Sequence, residues 1–95
     1  MHAYIIHGYG ASPTDHWFPW LQARLQAEGI PTTVPPMPDS ENPNVVAWQE
    51  TLAATIGAPK RDTLLIAHSL GTISLLHYLS AIRPAAVGGI VLVAG

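Results

Sequence analysis

Leu64-Leu65-Ile66-Ala67-His68-Ser69-Leu70-Gly71 decides how this chain folds: an apolar run ends in a serine that has small residues two positions before and after it. A short apolar run bounded by turn residues reads as a buried strand. The small-x-Ser-x-Gly string that closes it is the sequence form of a nucleophile elbow, in which a strand turns sharply into a helix and a strained serine stands at the apex. Ala67 and Gly71 keep bulky Cβ substituents out of the tight turn, although the commoner pattern has glycine at both places. The same string also suits a serine that merely caps a helix, so its surroundings decide between the two.

Upstream, His2 to Ile6 reads as a short buried strand, followed by His7-Gly8-Tyr9-Gly10, whose glycines permit a tight turn with exposed backbone amides. Trp17, Trp20, Leu21 and Leu25 recur at helical spacing and predict an amphipathic helix from about Asp15 to Glu28, with Pro19 in or just after its first turn and Gly29 as the stop. Thr32 to Val34 is a second strand, and the proline-rich stretch from Pro35 to Pro43 is a loop. Val45, Trp48, Leu52 and Ile56 form a second helical stripe, opened by Asn42-Pro43 or Asn44 and closed by Gly57 with Pro59 beyond. Thr63 to Ala67 is the third strand, Leu70 to about Ala81 a third helix containing Ile73 and Leu76, and Val87 to Ala94 a fourth, wholly apolar strand.

Four strands alternating with three helices specify an α/β fold with a parallel sheet. Right-handed crossovers favour the strand order 2-1-3-4, with a switch point between the first and third strands. That order brings the glycine loop beside Ser69 at the carboxyl edge, where ligands bind in such sheets.

Composition narrows the function. Ninety-five residues make a single domain spanning 1–95, and 48% hydrophobic with 11% charged residues suits a buried core. No apolar run reaches membrane-spanning length and the first residues lack a basic signal region, so a cytoplasmic protein without membrane association is expected. The absence of cysteine excludes a thiolate nucleophile and cysteine metal sites, and four basic against six acidic residues offer no footprint for nucleic acid. No cofactor and no metal are expected: the histidines lack His-Glu-x-x-His spacing, the third glycine of a dinucleotide fingerprint falls at Pro13, and no Gly-Lys-Ser/Thr exists.

An attacking serine needs donors aimed at the oxygen that becomes negative. The residue after the serine, Leu70, offers its backbone N–H at a helix start; the loop after the first strand offers a second, for which Tyr9 N–H is the choice. His7 is read as bracing that loop, His68 as diverging from Ser69 despite adjacency, His16 as structural, and His2 and His77 as surface or helix-packing residues. Asp39 and Glu41 read as solvated loop acids, Asp15 as a helix cap, and the aromatic set Trp17, Phe18, Trp20 and Trp48 as core, with an apolar acyl pocket as the other use.

Taken together, Tyr4-Ile5-Ile6-His7-Gly8-Tyr9-Gly10-Ala11-Ser12-Pro13, His16-Trp17-Phe18-Pro19-Trp20-Leu21, Pro36-Met37-Pro38 and Ala67-His68-Ser69-Leu70-Gly71 resemble the small α/β-hydrolases of the retinoblastoma-binding protein 9 and YdeN-like serine hydrolase family. The resemblance covers essentially the whole chain. It implies a three-layer α/β-hydrolase-like sheet with Ser69 as nucleophile, cleaving a small ester or amide through an acyl-enzyme. In that family the acid and the histidine follow the elbow in chain order, so both are expected downstream of Gly95 and the 95 residues are read as an amino-terminal portion. The alternative is a non-catalytic interaction module. Its motive is the fourth strand, an apolar sheet edge expected to drive self-association through Val87 to Ala94.

Overall fold

The computed structural model describes residues 1–8, 14, 17–39, 41–82 and 87–93. Its elements in chain order are β1 (His2–Ile6), α1 (Phe18–Ala27), β2 (Thr32–Thr33), α2 (Val45–Thr55), β3 (Thr63–His68), α3 (Leu70–Ile82) and β4 (Gly89–Val93). The four strands form one sheet in the order β2-β1-β3-β4, every pair parallel. Among the described residues, no helix is long and apolar enough to cross a membrane.

Alternation along the strands divides the interior into two layers of core. Ile6, Leu65 and Ala67 face Trp48, Leu52, Leu75 and Tyr78 of α2 and α3. Ile5 and Ile66 face Phe18 of α1, with Leu21 and Leu25 packed alongside. Register explains the division, because Ile5 lies opposite Ile66 and Ile6 opposite Ala67, so neighbours across the ladder share a face. The chain is therefore a three-layer sandwich: α1, the sheet, then α2 with α3.

Local chemistry sets the helix ends. Asn44 Oδ1 accepts the Ala47 N–H at 3.0 Å and opens α2, settling the start left between Asn42-Pro43 and Asn44. Gly29 and Gly57 follow α1 and α2 with φ of 80° and 63°, the left-handed conformation in which glycine carries no Cβ penalty. The first helix differs from expectation at its start. Trp17 is its N-cap and Phe18 its first residue, so Pro19 sits in the first turn, where a missing N–H costs nothing. Asp15, the expected starting point, lies outside the described residues.

Three apolar helix residues, Trp20, Ile73 and Leu76, are at the surface. Trp20 is 65% exposed, with the Arg24 guanidinium 5.9 Å from its ring centre. In α3 the buried face is Gly71, Leu75 and Tyr78, whereas Ile73 and Leu76 point outward. An entirely apolar helical stretch does not reveal which side meets the sheet. The fourth strand is an edge, as expected, and Ile90, Val91 and Leu92 are all exposed.

Candidate active site

Ser69 stands between β3 and α3 with φ of 56°, one of two non-glycine residues with positive φ among those described. The left-handed region costs an L-residue about 1–2 kcal/mol, and such strain persists only where surrounding contacts over-determine it. Those contacts are visible. The Ser69 N–H donates to the Val93 carbonyl at the end of β4 (3.0 Å), and the Ser69 carbonyl accepts the Thr72 N–H (2.9 Å). The serine is thus held from the strand beside it and from the first turn of the helix ahead.

Gly71 of the elbow and Gly8 of the loop after β1 are both explained by close approach. A Cβ at Gly71 would lie 2.5 Å from the Ile6 carbonyl oxygen and 2.7 Å from that of His7. The small residue after the serine is therefore demanded by the end of β1, rather than by a collision across the elbow itself. A Cβ at Gly8 would lie 2.8 Å from the Ser69 Cβ and 2.8 Å from the His68 carbonyl oxygen. The loop after β1 and the elbow are interlocked at the β1/β3 switch point. Ala67 is fully buried within the α2/α3-side core, a packing reason for its small size.

Leu70 is the first residue of α3, and helices leave their first N–H groups without intrahelical acceptors. Its amide nitrogen is 3.1 Å from the position a Gly8 Cβ would occupy, so the N–H lies between the elbow and the β1 loop. Tyr9, the second expected donor, lies outside the described residues, as do Asp15 and His16.

His7 braces the loop, as its sequence position indicated. Its Nε2 accepts the Met37 N–H at 2.8 Å while Nδ1 is 3.1 Å from the Gly8 carbonyl oxygen, a pattern that requires the neutral ring with its proton on Nδ1. The ring is 1% exposed and lies edge-on to Trp48. Its basic lone pair is therefore committed to holding the proline loop. The His68 ring packs in an aromatic cluster, with Trp17 and Phe18 at ring distances of 5.7 and 5.8 Å. His2 bonds to Thr33 Oγ1 at 2.9 Å, and His77 is exposed seven residues beyond Leu70 on α3. Asp39 and Glu41 are exposed. Among the described residues no group of three His, Cys, Asp or Glu is placed to hold a metal.

Two positioning residues escaped the sequence reading. Met37 supplies the N–H that orients His7, and the one signal for it is an apolar residue, 5% exposed in the fold, enclosed between Pro36 and Pro38. Val93 supplies the carbonyl that holds Ser69, for which no local signal exists, because the bond depends on register across the sheet.

Comparison with known proteins agrees with this geometry. A family model described as serine hydrolase matches residues 3–95. The chain is 43% identical over 93 residues to YdeN of Bacillus subtilis (strain 168), a protein named as a hydrolase; the match covers 97% of this chain and 49% of that one. The crystal structure of the B. subtilis ydeN gene product superposes with a TM-score of 0.90 at 42% identity, covering 96% of this chain and 50% of that structure. The chain thus spans about half the length of the relatives it matches.

Proposed function

The chain belongs to the serine hydrolase family, and from that premise we propose that Ser69 is the nucleophile in an esterase-like cleavage of a small ester or amide. Ser69 Oγ adds to the carbonyl carbon while its proton passes to a general base. The carbonyl oxygen becomes an oxyanion facing the Leu70 and Tyr9 N–H groups; its collapse, with the base giving the proton to the leaving oxygen or nitrogen, expels the alcohol or amine and leaves an acyl-enzyme, which water, deprotonated by the same base, cleaves to release the acid and restore Ser69.

The observation that carries this reading is the left-handed Ser69, held by Val93 and Thr72 at a helix start. A serine that only capped a helix would have extended backbone and need no such restraint. The base and its orienting acid are assigned to sequence outside these 95 residues. Two observations support that: His7 and His68 are committed to structural contacts, and the relatives are about twice as long. A fluorophosphonate probe should label the full natural protein and fail to label Ser69→Ala; equal labelling of both would refute the assignment.

A second reading concerns β4. Its central residues Ile90, Val91 and Leu92 are exposed at 41%, 49% and 44%, and one side of the sheet there continues into an apolar trough along Trp17, Leu21 and Leu25. An exposed apolar edge strand is a template for pairing. In this reading the chain is an interaction module whose partner is a second copy, joined edge to edge through β4. Light scattering on the 95-residue chain should then give a dimer that Val91→Lys converts to monomer, whereas a wild-type monomer would exclude it.

A further inference from the structure

Helices in right-handed βαβ units run back against their strands, so the first turns of α2 and α3 both lie at the sheet edge where Ser69 stands. Between these helices is a cleft of about 280 Å³, walled by Val45 and Trp48 from α2 and by Leu70 and Ile73 from α3, with His77 beyond. We propose that this cleft is the acyl-group subsite and that it takes a linear, medium-length apolar chain; the assignment rests on Ser69 being the nucleophile.

Leu70 joins the cleft to the chemistry. The residue whose N–H is assigned to the oxyanion also lines the cleft, so the cleft's lining begins one residue beyond Ser69. The walls are apolar where the chain would lie. Trp48 spends its single polar atom on the Pro38 carbonyl (2.7 Å), leaving its ring surface for packing. Gln49 Nε2 donates to the Ser74 carbonyl (3.0 Å), tying α2 to α3 and holding the cleft's width. Val45 and Ile73 at the rim are each 65% exposed, apolar surface that an acyl chain would cover.

Length and volume set the chain. From Leu70 to His77 is about 10 Å along the helix at its 1.5 Å rise, the reach of an acyl chain of roughly eight carbons. The volume, about 280 Å³, sits at the low end of small-molecule sites, which begin near about 300 Å³, and suits a medium-length chain.

The test uses two fluorophosphonates with the same reactive head, one carrying an ethyl and one an octyl group, on the full natural protein and on Ile73→Trp, which fills the cleft. Octyl labelling of Ser69 should run at least about 100-fold faster than ethyl labelling, and the ratio should fall below about tenfold in Ile73→Trp. Equal rates in the wild type, or an unchanged ratio in Ile73→Trp, would overturn the subsite while leaving Ser69 as nucleophile. Failure of both probes to label Ser69 would instead refute the nucleophile. The cleft is then decided by titrating octanoate against the backbone amides of Leu70, Ile73 and Ser74 by NMR: saturable shifts, lost in Ile73→Trp, support an apolar-chain site, and their absence overturns it.

Discussion

Gly71→Ala separates the interlocking of the elbow from ordinary helix energetics, because the two predict opposite signs. Gly71 is the second residue of α3, and helix propensity alone makes alanine better than glycine by up to about 1 kcal/mol. The structure predicts the reverse. The new methyl would stand 2.5 Å from the Ile6 carbonyl oxygen and 2.7 Å from that of His7. Both are backbone atoms at the end of a central strand, and the closer contact is about 1 Å inside ordinary separation. Relief requires α3 to move off β1, and overpacking of this kind costs about 1–3 kcal/mol. With backbone on one side and no rotamer to yield, the upper end applies, leaving a net loss of about 2 kcal/mol and a fall in Tm of about 10 °C for a domain this size. The same shift moves Leu70 N–H and Ser69 away from each other's reacting positions, where a displacement of about 1 Å costs roughly 100-fold in rate. Thermal unfolding followed by circular dichroism reads the first effect and fluorophosphonate labelling of Ser69 the second. A Gly71→Ala protein as stable as wild type, or more so, would refute the reasoning.

Ser69→Gly should abolish labelling yet raise stability by about 1 kcal/mol, a Tm increase of about 5 °C, since glycine accepts φ of 56° without a Cβ penalty; a lower Tm would mean the backbone there is unstrained. His7→Ala should cost about 3 kcal/mol in urea unfolding, because it opens a cavity beside Phe18 and Trp48 and strips the Met37 N–H of its acceptor; a loss under about 1 kcal/mol would show that the loop does not depend on that bond. Tyr78 donates to the Gly57 carbonyl at 2.6 Å, and burial raises its phenol above the ordinary 10.0. The neutral form is thus favoured in the folded state, so its stabilisation is complete below pH 10 and is lost as pH rises through the raised folded value. Tyr78→Phe should lose about 1 kcal/mol at pH 7 and show a shallower alkaline decline than wild type; equal slopes above pH 10 would contradict this.

The parallel sheet and its 2-1-3-4 order were legible because each element carries its own punctuation: Gly29 and Gly57 end helices, Asn44 begins one, and the apolar run before Ser69 is too short for a helix. The exceptions share one cause. Trp20, Ile73 and Leu76 are exposed because an apolar residue announces what it can bury, not what the fold places against it.

Ser69 as a candidate nucleophile and Leu70 as a candidate donor were legible in the sequence by itself, since an apolar strand, a serine and a small residue at fixed spacing allow few local geometries, of which the elbow is one. Tertiary structure alone decided what holds that geometry. Gly71 is glycine because Ile6 and His7 lie against it, Gly8 because the elbow does, and His7 is unavailable as a base because Met37, thirty residues away, has claimed its lone pair. Spacing along a chain encodes torsions and periodicity, whereas these contacts join segments brought together only when the sheet closes, and no local pattern encodes which atoms then meet.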